Sequence, residues 1–410
     1  MSMHFTLRID RRTSASQYSS HDPERSSTTS DAGDGQRPTR TAMFGVFGVA
    51  AWIVCAAAFA IAYHAHERTV YVWDFYNFPR KFDALVRLTH QGIAPVLRHV
   101  RLSLNSDYTD VPAVLLLPAG LIGGPGRAAY LAGVAAEYGA VAMIGMFMLF
   151  RSIVARSAER EQVLATSAAL LVAALLPHFW LPILRGYPDV LGMGVLAILL
   201  ALQVRRPMWE RPLTHALGVG LAIAGLLLFR RWYAYFVIAW AVAVVGDLAY
   251  VMLRRRLDGA PWRAVRGLAA SGLVAGAAAA LVMYVALSPA RIHAMATTSY
   301  RTLYAGYRSH GLGAVLAVDW AWLGAATALL ALAGLVFARR YWHARAALVL
   351  AIYTVVGIGL FQHTQDFGMH HWYGVMPVLA VCVMTGVYGL ITSCARASAR
   401  VSMTAAVGLL

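Results

Sequence analysis

The chain has 410 residues, 59% of them hydrophobic and only 13% charged, with a net charge of +16 and a mean hydropathy of +0.59. A soluble domain carries about a quarter charged side chains, so a water-soluble enzyme and a disordered chain are both excluded. A protein crossing a bilayer many times is expected.

Residues 1–42 are polar and rich in Ser, Thr, Arg and Asp. They lack the apolar content to fold and read as a disordered cytoplasmic tail, ahead of a transmembrane domain over 43–410. Met43–Tyr63 is the first span, followed by one long polar interruption at 64–127. Further apolar stretches near 128–150, 162–178, 189–204, 213–229, 233–253, 268–287, 314–337, 346–361 and 372–391 bring the expected total to ten. The expected fold class is thus all-α, a polytopic transmembrane helix bundle. Val401–Leu410 is too short to cross alone, so it either lies at the surface or marks a shortened C-terminus. No fixed-period repeat or inverted hydropathy symmetry is evident.

With the N-terminus inside and loops assigned alternately, 22 of the 35 basic residues fall on the inner side. All but Lys81 are arginines. The bias in the short loops follows the positive-inside rule, which accounts for the positive charge with no nucleic-acid partner. The expected location is a bacterial inner membrane with the N-terminus cytoplasmic. Ten of the 14 histidines and most carboxylates beyond the tail fall on the outer side, so chemistry is expected there. The three cysteines, Cys55, Cys382 and Cys394, have no C-x-x-C spacing and indicate neither disulfides nor a metal site.

In the long outer loop, Pro79–Leu104 carries apolar residues at helical spacing beside Arg80, Lys81, Asp83, Arg87, Arg98 and Arg101. This predicts two interfacial helices, interrupted near Gly92 and Pro95. Before them stands YVWDFYNFP, with Asp74 among aromatics, and after them SLNSDYTDVPAVLLLP, with Asp107 and Asp110. A carboxylate packed among aromatics near the bilayer suits a general base. The same pattern also fits a solvated loop residue within an aromatic belt.

A first span, a long outer loop opening on an aromatic-flanked Asp, interfacial helices, and an Asp-Tyr segment leading to Pro and a Leu-rich stretch resemble the GT-C superfamily. Its members are polytopic glycosyltransferases of the mannosyltransferase and aminoarabinose-transferase kind, which use polyprenyl-phosphate sugars. The resemblance implies that Asp74 is catalytic and that Asp189, in RGYPDVLG, is a second functional carboxylate. QDFGMHHWYGVMPVLA looks like the segment opening a late span in related members. Here the usual acidic pair is reduced to the single Asp74, and no C-terminal soluble domain follows.

The implied reaction transfers a sugar from a polyprenyl-phosphate donor to a glycan, lipid or protein acceptor among membrane lipids. It needs a base near the acceptor and cations around the departing phosphate. Arg230 and Arg231, in LFRRWYAYF beside Tyr233, sit at an outer span end against the positive-inside trend. They read either as phosphate ligands or as snorkelling arginines. The outer segment from Tyr300 offers Arg301, Tyr304 and Arg308 at helical spacing, suited to holding a phosphate and stacking on a sugar, or to an interfacial belt. His370 and His371 fit phosphate or acceptor binding, and His363 with Asp366 is compatible with a divalent metal, though no cofactor is required. Glu137, inside the second span, is structural or lines a lipid cleft. The competing readings are a transporter or flippase for an anionic or lipid-linked substrate, and a non-catalytic subunit of an envelope-assembly complex.

Overall fold

The computed structural model describes residues 40–69, 74–106, 108–154, 159–254, 261–298, 300–307 and 312–408. The chain divides into Met1–Phe44 and Gly45–Leu410; of the first unit only the opening residues of a helix are described, so the tail expected over 1–42 lies almost wholly outside. The helices are α1 (Arg40–His66), α2 (Asp74–Thr89), α3 (Ile93–Ser103), α4 (Val111–Val114), α5 (Leu117–Gly123) and α6 (Arg127–Gly133). A π turn joins α6 to α7 (Gly139–Ile153). Then follow α8 (Glu159–Ala174), α9 (Pro177–Arg185), α10 (Val190–Arg205), α11 (Leu213–Phe229), α12 (Tyr233–Arg254) and α13 (Pro261–Ala286). The last are α14 (Pro289–Thr297), α15 (Tyr300–Leu303), α16 (Leu312–Tyr341), α17 (Ala344–Thr364) and α18 (Met376–Gly408). Among the described residues the one extended pairing is an isolated bridge between Val154 and Trp342, so the architecture is all-α.

Seven helical segments are long and apolar enough to cross a membrane, and the pair α8–α9, bent by 43°, makes an eighth if counted as one span. This differs from the ten spans expected. The two that fall short are α10 and α11, of 16 and 17 residues. At about 1.5 Å per residue they reach about 24 and 26 Å, against a hydrocarbon core about 30 Å thick. The apolar stretches expected at 189–204 and 213–229 coincide with these helices to within a residue, and Asp189, Arg206, Pro212 and Arg230 flank them. Val401–Gly408 continues α18 without a break.

The two helices expected in the first long loop are present as α2 and α3. They part at Gly92, whose φ of 102° favours glycine. Pro95 does not interrupt α3 because it lies in the first turn, where its missing N–H has no partner to lose. Pro79 sits inside α2 and leaves the Phe75 carbonyl without its helical donor. Arg127 supplies one instead, Nη1 donating at 3.1 Å.

Helix packing relies on small residues that let backbones approach. Gly145 of α7 faces Gly194 and Ala197 of α10, where an added Cβ would lie 2.5 Å from the Gly194 carbonyl. Glu137, in the π turn, lies against the Ala119 N–H of α5, so this in-span carboxylate answers a backbone donor at the start of that helix.

Two sets of contacts tie α10 to α12. At one end the Tyr233 hydroxyl donates to the Asp189 carbonyl. At the other Gln203 Nε2 donates to Asp247 Oδ2 at 2.7 Å. The tie points are separated by about 21 Å of helix, so α10 and α12 run side by side in the same direction and α11 returns between them. At the second end Arg345 donates to both oxygens of the fully buried Asp247, at 2.6 and 2.7 Å, and to the Gln203 carbonyl at 2.7 Å.

Removing one partner of a buried pair strands the other charge, at a cost of about 3 kcal/mol or more. Arg345→Gln is therefore expected to lower the thermal unfolding midpoint in detergent sharply. The double variant Arg345→Met with Asp247→Leu should recover most of that loss, because neither charge then remains unpaired.

Candidate functional site

At the Tyr233 end of the bundle, turns from separate parts of the chain converge on one guanidinium. α11 ends at Phe229, and Arg230 leaves it in an extended conformation, φ −151°, which swings its side chain inward. Arg230 Nε stands 3.1 Å from Asp189 Oδ1, and its Nη2 stands 3.4 Å from Asp74 Oδ2. The same Nη2 is 3.5 Å from His370 Nε2. The guanidinium lies over the rings of Phe78 and Tyr108, at 4.9 and 5.7 Å from their centroids. Asp74 opens α2, Asp189 precedes α10, and His370 lies between α17 and α18.

Local sequence explains each placement. Gly186 ends α9 with φ 101°, and the Tyr187 N–H returns to the Pro182 carbonyl at 2.9 Å, a glycine-dependent helix stop. An added Cβ at Gly186 would also lie 3.2 Å from Arg127 Nη1. Arg127 is a second organiser, reaching Glu67 Oε2 at 3.3 Å and the Leu184 and Arg185 carbonyls at 3.3 Å. Tyr130 donates to the Gly186 carbonyl at 2.9 Å. Gly192 is needed for a different reason: a Cβ there would fall 2.1 Å from the Tyr233 ring, which must pass to reach the Asp189 carbonyl.

The two carboxylates have different surroundings. Asp189 is fully buried, and the Asp74 side chain is 20% exposed. Burial raises the Asp189 pKa to about 6, with Arg230 pulling it down and Asp74 pushing it up. Burial acts against the charged form of Arg230, but Asp189 and Asp74 outweigh it and its pKa is raised. Tyr108 is raised by burial and by Asp74. His370 and His371 are both lowered, by burial first and by the Arg230 charge, so both are neutral.

Because a guanidinium can only donate, His370 Nε2 accepts and its proton sits on Nδ1. That atom is buried and has no protein partner among the described residues. His370 is held flat against Tyr187, ring centroids 3.9 Å apart. His371 has the opposite tautomer, since its Nδ1 accepts the Gly368 N–H at 2.9 Å. The centre thus holds two carboxylates, one guanidinium and two neutral imidazoles, with Asp74 as its more accessible carboxylate. Such a centre can orient a hydroxyl, take its proton and donate hydrogen bonds to an anion.

The other sequence candidates are distributed differently. Tyr233 is fully buried and stacked on Trp232 at 4.0 Å, so it holds the Asp189 turn. Asp110 forms a separate cluster, paired with Lys81 and 3.2 Å from His99. Arg231 points elsewhere, donating to the Ser106 carbonyl at 3.2 Å. Tyr304 is near enough to Tyr108 to act on its hydroxyl, and Arg301 is exposed. Asp107, Arg308 and the Tyr300 side chain lie outside what is described. Asp366 accepts from Gln362 at 2.9 Å, His363 is exposed, and no group of three or more metal-ligand side chains occurs among the described residues. Tyr187, Trp232 and Tyr108 were not singled out from sequence as site residues, although Tyr187 and Trp232 directly flank the Asp and Arg motifs that were.

No protein-family model, curated protein or solved structure matches the chain.

The Asp189 carboxyl keeps its proton to higher pH in the folded chain than its ordinary value of 3.8. Its contribution to stability is therefore full below that value and is lost as pH rises through about 6. Infrared titration should find a protonated-carboxyl band with a midpoint near 6 that is absent in Asp189→Asn. Arg230→Gln removes the neighbouring positive charge and should move the midpoint upward.

Proposed function

We propose that the chain is a membrane glycosyltransferase that moves a sugar from a polyprenyl-phosphate donor to an envelope acceptor. The carrying observation is the meeting of Asp74 and Asp189, from separate turns, on the buried Arg230 at one end of the bundle. The resemblance of the first loop to polyprenyl-phosphate-dependent enzymes supports the same reading. The acceptor hydroxyl attacks the anomeric carbon and the bond from that carbon to the phosphate oxygen breaks. The hydroxyl proton passes to Asp74 and the polyprenyl phosphate departs with the bonding electrons. Asp189 holds Arg230, whose N–H groups and the His370 Nδ1–H are the donors available to the departing phosphate.

In this reading α10 and α11 each traverse the membrane despite their length, giving ten spans with the N-terminus cytoplasmic in a bacterial inner membrane. The tie points at both ends of α10 and α12 support that count. The turns carrying Asp74, Asp189, Arg230 and His370 are then all outer loops, and the Arg345 pair is at the inner side. No divalent metal is needed for these steps.

A transporter or flippase for a lipid-linked substrate is the second reading. The break between α8 and α9 favours it, with buried His178 just past the break and both its ring nitrogens without a protein partner among the described residues. Broken helices with buried polar groups within the membrane are a transporter trait.

Purified protein given a labelled polyprenyl-phosphate sugar and envelope acceptors should transfer the sugar. Asp74→Asn should reduce the rate by about a hundredfold or more, with the thermal midpoint close to wild type because Asp74 is partly exposed. Normal transfer by that variant would remove Asp74 as the base. Lipid movement across vesicles without transfer would favour the second reading.

A further inference from the structure

α2 and α3 form a bracket whose two ends are tied to the ends of apolar helices. α2 begins at Asp74, which meets Arg230 just past α11. Beyond α3, Asn105 Oδ1 accepts the Ser288 N–H at 2.8 Å, just past the end of α13. The bracket is therefore held at the level where the apolar helices stop, which is headgroup depth. Its inner side is filled by Phe78, Phe82, Leu85 and Val96, all buried.

The outer side has a different composition. Ile93 and Leu97, one turn apart, are 67% and 59% exposed. Beside them on α3 stand exposed Arg98 and Arg101, and on α2 exposed Arg80 and Arg87. The carboxylates of this stretch turn the other way. Asp83 accepts the Gly126 N–H at 2.6 Å, Asp110 is buried against Lys81 and His99, and Asp74 faces Arg230. Between Asp74 and Asp110, among the described residues, four arginines are exposed and no carboxylate is.

We propose that the outer side of α2–α3 is a docking surface for anionic phospholipid headgroups in the leaflet at this end of the bundle. Each arginine near an anionic surface adds attraction, and the Ile93–Leu97 stripe inserts at the boundary between headgroups and chains. A free phosphate would use the arginines but leave that apolar stripe in water, so an amphiphile is the occupant that satisfies both. The surface is independent of which reaction the Arg230 centre performs.

The test places a benzoylphenylalanine at Leu97 of the full chain, reconstituted in vesicles of equal phosphatidylglycerol and phosphatidylcholine. Photo-adducts counted by mass spectrometry should favour phosphatidylglycerol about fivefold or more. The combined variant Arg80→Gln, Arg87→Gln, Arg98→Gln, Arg101→Gln should bring the ratio to about one. If that variant does not fold, Arg98→Gln with Arg101→Gln should still lower it. A wild-type ratio near one, or a ratio insensitive to these substitutions, overturns the proposal. So does collapse of the ratio on adding excess inorganic phosphate at constant ionic strength, which would assign the arginines to a soluble anion.

Discussion

One guanidinium serving two carboxylates is the constraint around which this molecule is arranged. Arg230 is almost buried, with 10% of its side chain exposed, where an unpaired charge would be costly. Asp189 alone would neutralise it. Asp74 adds a second negative charge that the neutral His370 and His371 do not balance, so the centre has one surplus negative charge when both carboxylates are ionised. The raised Asp189 pKa is the consequence of that surplus and of burial together.

Such a cluster has to be assembled from distant parts of the chain, and a few polar side chains with carbonyl partners do that work. Arg127 gathers Glu67, the Phe75 carbonyl and the end of α9. Tyr233 and Tyr130 hold the backbone on either side of Pro188, through the Asp189 and Gly186 carbonyls, and Tyr373 donates to the Phe179 carbonyl. Apolar burial does not hold helices together in a lipid solvent, where tails are as apolar as leucine. Directional hydrogen bonds and close glycine contacts take over that role, and the Arg345–Asp247 pair anchors the opposite end in the same way.

The parts of this arrangement legible in the sequence were those in which a residue contradicts its local context. Asp74 among aromatics and Arg230 against the charge bias each conflict with their surroundings; Asp189 in RGYPDVLG is marked only by the resemblance to a known family, and the fold brings the three together. The two amphipathic helices of the first loop were legible from spacing alone. Arg127 was not, because its partners are mostly carbonyls, which every residue carries. Nor was the division between Arg230 and Arg231: Arg230 turns to the two carboxylates and Arg231 to the Ser106 carbonyl, and composition does not register that difference. The apolar stretches at 189–204 and 213–229 match α10 and α11 to within a residue; what hydropathy does not weigh is that 16 or 17 helical residues fall short of the hydrocarbon thickness.

The exposure difference between Asp74 and Asp189 follows from which element carries each. Asp189 precedes α10, a helix packed closely against α7 and tied to α12, so its carboxyl cannot move without disturbing the centre of the bundle. Asp74 opens α2, whose first turn lacks one of its own hydrogen bonds because Pro79 leaves the Phe75 carbonyl to Arg127. The difference between the two carboxylates, one fully buried against the cation and one partly exposed, is therefore set by backbone anchoring as much as by the side chains themselves.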